Sequence, residues 1–121
     1  MQIALVDDDR GVRESLRFLL EIAGHQVDDY ASAAELLDGC DLVRVGALIL
    51  DQNMPDMTGL ELASRLRADC RAFPIVLITA APSPVVVMRA TELNIDEVLA
   101  KPVAERDLSG LLARLSDGDA I

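Results

Sequence analysis

The chain has one histidine, His25, and two cysteines, Cys40 and Cys70, which stand far apart with no CxxC spacing. His25 lies beside Gly24 at an expected helix end and reads as a turn residue. That leaves no Ser-His or Cys-His nucleophilic system and no imidazole-rich metal centre. The cysteines read as free thiols of a reducing cytoplasm. No apolar run approaches the ~18 residues of a membrane-spanning helix. The N-terminus enters the strand-like run Gln2-Ile3-Ala4-Leu5-Val6 without a basic segment ahead of it, so no signal peptide is expected. Basic residues are few: 11 Lys and Arg against 21 Asp and Glu give a net charge of −10. Phosphate contacts need clustered Lys and Arg, so nucleic acid is not expected as a direct partner.

What is present points elsewhere. At 121 residues, with 51% hydrophobic content, the chain reads as one domain over 1–121, large enough for a core and too short for two. Its most informative stretch is Ala47-Leu48-Ile49-Leu50-Asp51-Gln52-Asn53-Met54-Pro55-Asp56-Met57-Thr58-Gly59. A short apolar run bounded by turn signals marks a strand buried on both faces. Asp51 then falls at the carboxyl edge of a sheet, where open α/β folds bind ligands. Taken alone, Asp51 also fits a turn-forming or helix-capping residue.

Taken in order, residues 2–6 form a first strand, followed by a helix from about Arg10 to Ala23. Val12, Leu16, Leu19, Leu20 and Ala23 share one face of it, with Asp9 as N-cap and Gly24 as stop. A strand near Gln26 to Tyr30 precedes Ser32-Ala33-Ala34-Glu35, which has the form of a capping box for a short helix ending at Gly39. After the strand Ala47 to Leu50, Leu60, Leu62, Ala63 and Leu66 mark a helix to about Ala68. Pro74 to Thr79 reads as a strand with proline at its first position. Ser83-Pro84 opens a fourth helix whose Val85-Val86-Val87 start has low helix propensity, so this helix is expected to be the least stable. A short strand over Glu97 to Ala100 leads into a last helix with Leu108, Leu111, Leu112 and Leu115, then a frayed tail from about 117 to 121. Five alternations of strand and helix predict right-handed crossovers, a parallel sheet and helices on both faces.

Four strands end in polar residues: the first at Asp7-Asp8, the third at Asp51, the fourth at Thr79 and the fifth at Lys101. In a parallel sheet these ends converge on one rim. Each has a bland explanation alone, but four at the same end make a cluster suited to chemistry. Packed carboxylates repel one another and call for a cation, and an all-oxygen set suits Mg²⁺. A carboxylate can also attack phosphorus and become an aspartyl phosphate. Thr79 and Lys101 then supply donors to the phosphoryl oxygens. Phosphoryl transfer to Asp51 uses every member of the set.

The motifs Val6-Asp7-Asp8-Asp9, Leu50-Asp51 with its turn through Gly59, Ile78-Thr79-Ala80 and Ala100-Lys101-Pro102 resemble, in order and spacing, the CheY-like receiver domain of bacterial response regulators. The resemblance implies a flavodoxin-like (βα)5 three-layer sandwich with a five-stranded parallel sheet of order 2-1-3-4-5. It implies that Asp51 accepts a phosphoryl group from a sensor histidine kinase or phosphotransfer protein in the cytoplasm. Mg²⁺ (or Mn²⁺) would be bound by Asp8, Asp51 and the backbone carbonyl of Asn53, with Asp7 acting largely through water. Lys101 would pair with the acceptor, and Thr79 would swing inward to the phosphoryl oxygen. A cis peptide between Lys101 and Pro102 is also implied. Output would pass through the face of helix 4, strand 5 and helix 5, to a downstream domain or protein or to a homodimer partner.

One position departs from the family: Val98 stands where a Tyr or Phe usually reports phosphorylation by rotating. Val98 is either drift at a half-exposed strand position or a sign that helix 4 itself carries the switch by repacking or melting. Two other functions stay open at this stage. A small aspartate-nucleophile phosphatase uses a similar set, but usually has a second Asp two residues after the nucleophile, where this chain has Asn53, which cannot protonate a leaving group. A degenerate receiver serving only for docking or dimerisation is the other, against which the intact Asp7, Asp8, Asp51, Thr79 and Lys101 argue.

Overall fold

The computed structural model describes residues 2–69 and 71–119, so Cys70, the side chain of Leu115 and residues 120–121 lie outside the described residues. Strands β1 (Gln2–Val6), β2 (Gln26–Tyr30), β3 (Ala47–Asp51), β4 (Ile75–Thr79) and β5 (Glu97–Ala100) alternate with helices α1 (Arg10–Ile22), α2 (Ala33–Gly39), α3 (Gly59–Ala68), α4 (Pro84–Glu92) and α5 (Glu105–Asp119). All neighbouring strands are parallel, in the order β2-β1-β3-β4-β5. The fold is the α/β sandwich implied by the resemblance.

Side-chain alternation along the strands splits the core into two clusters. Ile3, Leu5, Ile49, Val76 and Ile78 face Leu16 and Leu20 of α1 and Leu108, Leu111 and Leu112 of α5. Ala4, Val6, Leu48, Leu50, Ile75 and Leu77 face Leu36 of α2 and Leu62, Ala63 and Leu66 of α3. Helix α4 covers the same side, yet Ala90 is its one fully buried residue, and Val85, Val87 and Met88 stand exposed.

The helix starts follow side-chain chemistry with one correction. Asp9, Ser32, Thr58 and Ser83 each accept a backbone N–H from the first turn of the helix they open. At Ser32 the box is only half made, because Glu35 accepts the N–H of Ala31 rather than that of Ser32. The complete box forms instead at Thr58 and Glu61. A 3₁₀ turn, Leu42–Arg44, fills the α2–β3 connection. Ala23 is exposed rather than part of the apolar face of α1. Helix α5 continues to Asp119, past the tail expected from Asp117. Among the described residues, no helix is long and apolar enough to cross a membrane.

Candidate functional site at the carboxyl edge of the sheet

Strand β3 pairs with β1 on one side and β4 on the other, so its last residue, Asp51, emerges between the ends of both. Asp7 follows β1 directly, Thr79 closes β4, and Lys101 follows β5. The structure therefore brings together the residues expected from the sequence. Asp7, Asp51 and Thr79 are buried, whereas Asp8 and Asn53 are exposed.

Lys101, the only lysine in the chain, joins the two buried carboxylates. Its Nζ lies 3.2 Å from Asp7 Oδ2 and 3.1 Å from Asp51 Oδ1. Burial pushes the Asp51 carboxyl up to about 6; the hydrogen bond from Lys101 opposes that rise and the charge of Asp7 adds to it. Burial alone would lower the Lys101 ammonium, but its bonds to Asp51 and Asp7 outweigh that and hold it above the ordinary lysine value. One oxygen each from Asp7, Asp8 and Asp51 lies within 4.8 Å of the others. Three carboxylates against one ammonium leave a surplus of negative charge at a solvent-facing rim. That surplus, offered through oxygen atoms alone, fits a hard divalent cation such as Mg²⁺.

Backbone contacts fix the remaining geometry. Asp51 Oδ1 also accepts the Asn53 N–H at 3.4 Å. Gln52 donates its N–H to Ile78, while its carbonyl and side-chain Oε1 accept the N–H groups of Gly59 and Leu60, so the start of α3 is held beside Asp51. Thr79 Oγ1 accepts the Ala81 N–H at 3.2 Å, which leaves its hydroxyl proton free to donate. The Lys101–Pro102 peptide is cis.

Other residues singled out by sequence have structural surroundings. Met54 is buried in the α2–α3 cluster, and Met57 packs against it. Tyr30 packs on the same cluster, its hydroxyl pushed up to about 12 by burial and by Cys40. His25 sits in the turn after α1, where burial lowers its imidazole. Val98 is half-buried beside that cluster. Sequence reasoning missed Gln52, Arg13 and Gly59. Only the geometry shows Arg13 reaching the carbonyl of Asp7, although its place one turn into a helix that starts beside Asp9 was a signal.

Residues 3–113 match the family described as the response regulator receiver domain. The chain is 40% identical over 115 residues to the response regulator MprA of Mycobacterium avium, covering 95% of this chain and 49% of MprA. It thus spans about half the length of the curated relatives it matches. The chemotaxis protein CheY4 of Vibrio cholerae superposes with a TM-score of 0.87 at 28% identity, over 94% of this chain and 97% of that one. A receiver protein of Pseudoalteromonas atlantica has the same fold, with a TM-score of 0.90 at 21% identity over 98% and 99% of the two chains. The chain belongs to the receiver domains of response regulators, the signalling switches of phosphorylation-dependent two-component systems.

Proposed function

We propose that Asp51 is the phosphoryl acceptor and that a phosphohistidine on a sensor kinase or phosphotransfer protein is the donor. The observation that carries this reading is the single Lys101 ammonium shared by Asp7 and Asp51, with Asp8 at the same rim. A carboxylate oxygen of Asp51 attacks phosphorus, the P–N bond of the donor breaks, and the imidazole leaves with the bonding pair. Lys101 then turns from the carboxylate to the phosphoryl oxygens. A hollow of about 500 Å³ among Gln2, Arg17, His25 and Gln26 lies at the opposite end of β1 and β2, away from this chemistry. Asp51 lies instead just beneath the rim where Asp8 is exposed, at the edge of the sheet, which suits delivery of the phosphoryl group by a macromolecule.

Asp8, Asp51 and the Asn53 carbonyl would hold Mg²⁺ or Mn²⁺, with Asp7 behind them. Asp7 suits that rear place because Oδ1 already accepts the Asp9 N–H at 2.9 Å and Oδ2 faces Lys101. When bound, the cation neutralises the carboxylates and polarises phosphoryl oxygens. Thr79 turns its hydroxyl to the phosphoryl group and so gives up the Ala81 N–H. The loop from Ala80 to Ser83 leads straight into α4, whose N-terminal half is held by little burial. Val98 cannot act as a rotating aromatic, so α4 carries the change to the surface it shares with β5 and α5. That surface serves a downstream domain, a separate protein or a second copy of the chain. The domain assists its own phosphorylation and hydrolysis but turns over no separate substrate.

Treatment with a small acyl phosphate and Mg²⁺ should add the mass of one phosphoryl group, and Asp51→Asn should abolish the shift. An unmodified parent chain under those conditions would instead favour a docking module.

A further inference from the structure

We infer that Arg13 is a positioning residue for the acidic site: it fixes the peptide between Asp7 and Asp8 and so sets where Asp8 presents its carboxylate to a cation. This rests on reading the three carboxylates as a divalent-cation site.

Arg13 lies one turn into α1, and helical side chains lean back toward the N-terminus, which aims its guanidinium at the end of β1. Nη1 donates to the carbonyl of Asp7 at 2.7 Å. Nε donates to Asp29 Oδ2 on β2 at 3.0 Å, and Arg17 Nη1 holds the other oxygen of Asp29 at 2.6 Å. The Arg13 and Asp29 side chains are only 15% and 22% exposed, so the pair is well shielded for one near a rim. The N–H of Asp7 donates to the carbonyl of Tyr30. Asp7 is thus gripped at its N–H by β2 and at its carbonyl by α1.

That carbonyl belongs to the peptide leading to Asp8. The Asp8 side chain is exposed and makes no hydrogen bond among the described residues, so no side-chain contact holds its carboxylate and the backbone position sets which rotamers can bring it to the oxygens of Asp7 and Asp51. Rotation of the Asp7–Asp8 peptide would displace that carboxylate from the oxygens of Asp7 and Asp51. A planar two-armed guanidinium that spans Asp29 and a carbonyl restrains such rotation in a way a single ammonium cannot.

The sign of the effect separates this role from plain electrostatics. A guanidinium beside a cation site repels the cation, so by Coulomb's law its removal alone should tighten Mg²⁺ binding. Loss of a positioning contact behind a metal ligand weakens binding, by roughly 10-fold or more. Titration of the whole chain with MgCl₂, followed by ¹H–¹⁵N NMR, provides the test. Arg13→Met is expected to weaken Mg²⁺ about 10-fold and to shift the Asp8 amide resonance in the metal-free protein. Arg13→Lys keeps the charge and should fail to restore parental affinity, which keeps the test usable if the Met variant does not fold. Parental or tighter Mg²⁺ binding in either folded variant overturns the role of Arg13. A parent chain that takes up no Mg²⁺ overturns the reading of the site, and the role of Arg13 with it.

Discussion

A β-carbon on Gly59 would lie 2.6 Å from the carbonyl oxygen of Asp51. It would also lie 2.7 Å from Leu77 Cδ1, so only a hydrogen fits between the first residue of α3 and the backbone of the proposed acceptor. Helix propensity alone would favour alanine here by up to ~1 kcal/mol. The contact with Asp51 reverses the sign, because backbone cannot yield as a flexible side chain does. Gly59→Ala should therefore lose about 1–2 kcal/mol in urea unfolding, within the usual range for overpacking. It should also slow phosphorylation through displacement of Asp51. A variant as stable as the parent would show that α3 shifts freely relative to β3.

The Asp51 carboxyl gives stability a definite pH dependence. Its folded value of about 6 lies above the ordinary 3.8, so the folded state holds the proton more tightly than the unfolded one. Stability from this source is fully present below the unfolded value and is lost as pH rises through about 6. In metal-free solution at pH 7, Asp51→Asn should be more stable than the parent by about 1–2 kcal/mol. The gap should close toward about pH 4, and Mg²⁺ should narrow it by favouring the carboxylate. Thermal melts across that pH range, with and without EDTA, measure both effects. A less stable Asn variant at pH 7 would mean that the ion pair with Lys101 outweighs burial.

Arg67 ties two loops together at the far end of the sheet. Its Nε donates to Leu93 at 3.0 Å, Nη1 to Arg71 at 2.7 Å and Phe73 at 2.8 Å, and Nη2 to Asn94 at 3.0 Å, all through backbone carbonyls. No other side chain spans that geometry, so Arg67→Lys should destabilise by about 2 kcal/mol, with Arg67→Met at least as severe. Chemical denaturation checks the order. Full retention of stability in the Lys variant would mean that one donor suffices.

Because Arg67 holds the chain just past α4, that helix is secured at its C-terminal end and exposed at its start. Hydrogen exchange with and without a phosphoryl mimic should change most between 82 and 88 and least near 93–95. Unchanged protection across 82–95 would remove α4 as the carrier of the switch.

Most elements were legible because local signals agreed with the tertiary fold. The run Ala47 to Leu50 pairs as a central strand, and Ser83-Pro84 caps α4 as its chemistry demands. The rim was legible too, since parallel pairing turns strand ends in sequence into neighbours in space. What escaped was reach across elements. Glu35 selects the Ala31 N–H only because the chain enters α2 at a particular angle, and Arg13 finds Asp7 only because β2 places Asp29 beside it. The close approach of Gly59 to Asp51 likewise exists only once α3 packs on Leu77.

The two buried clusters share no residue, and the pleated sheet divides them. Substitutions on opposite sides should combine without interaction, since coupling needs contact or a common partner. For a lineage of such domains this is a practical freedom. The side bearing α1 and α5 and the side bearing α2, α3 and α4 can drift toward different associates independently, while the end of β3 between them keeps its chemistry.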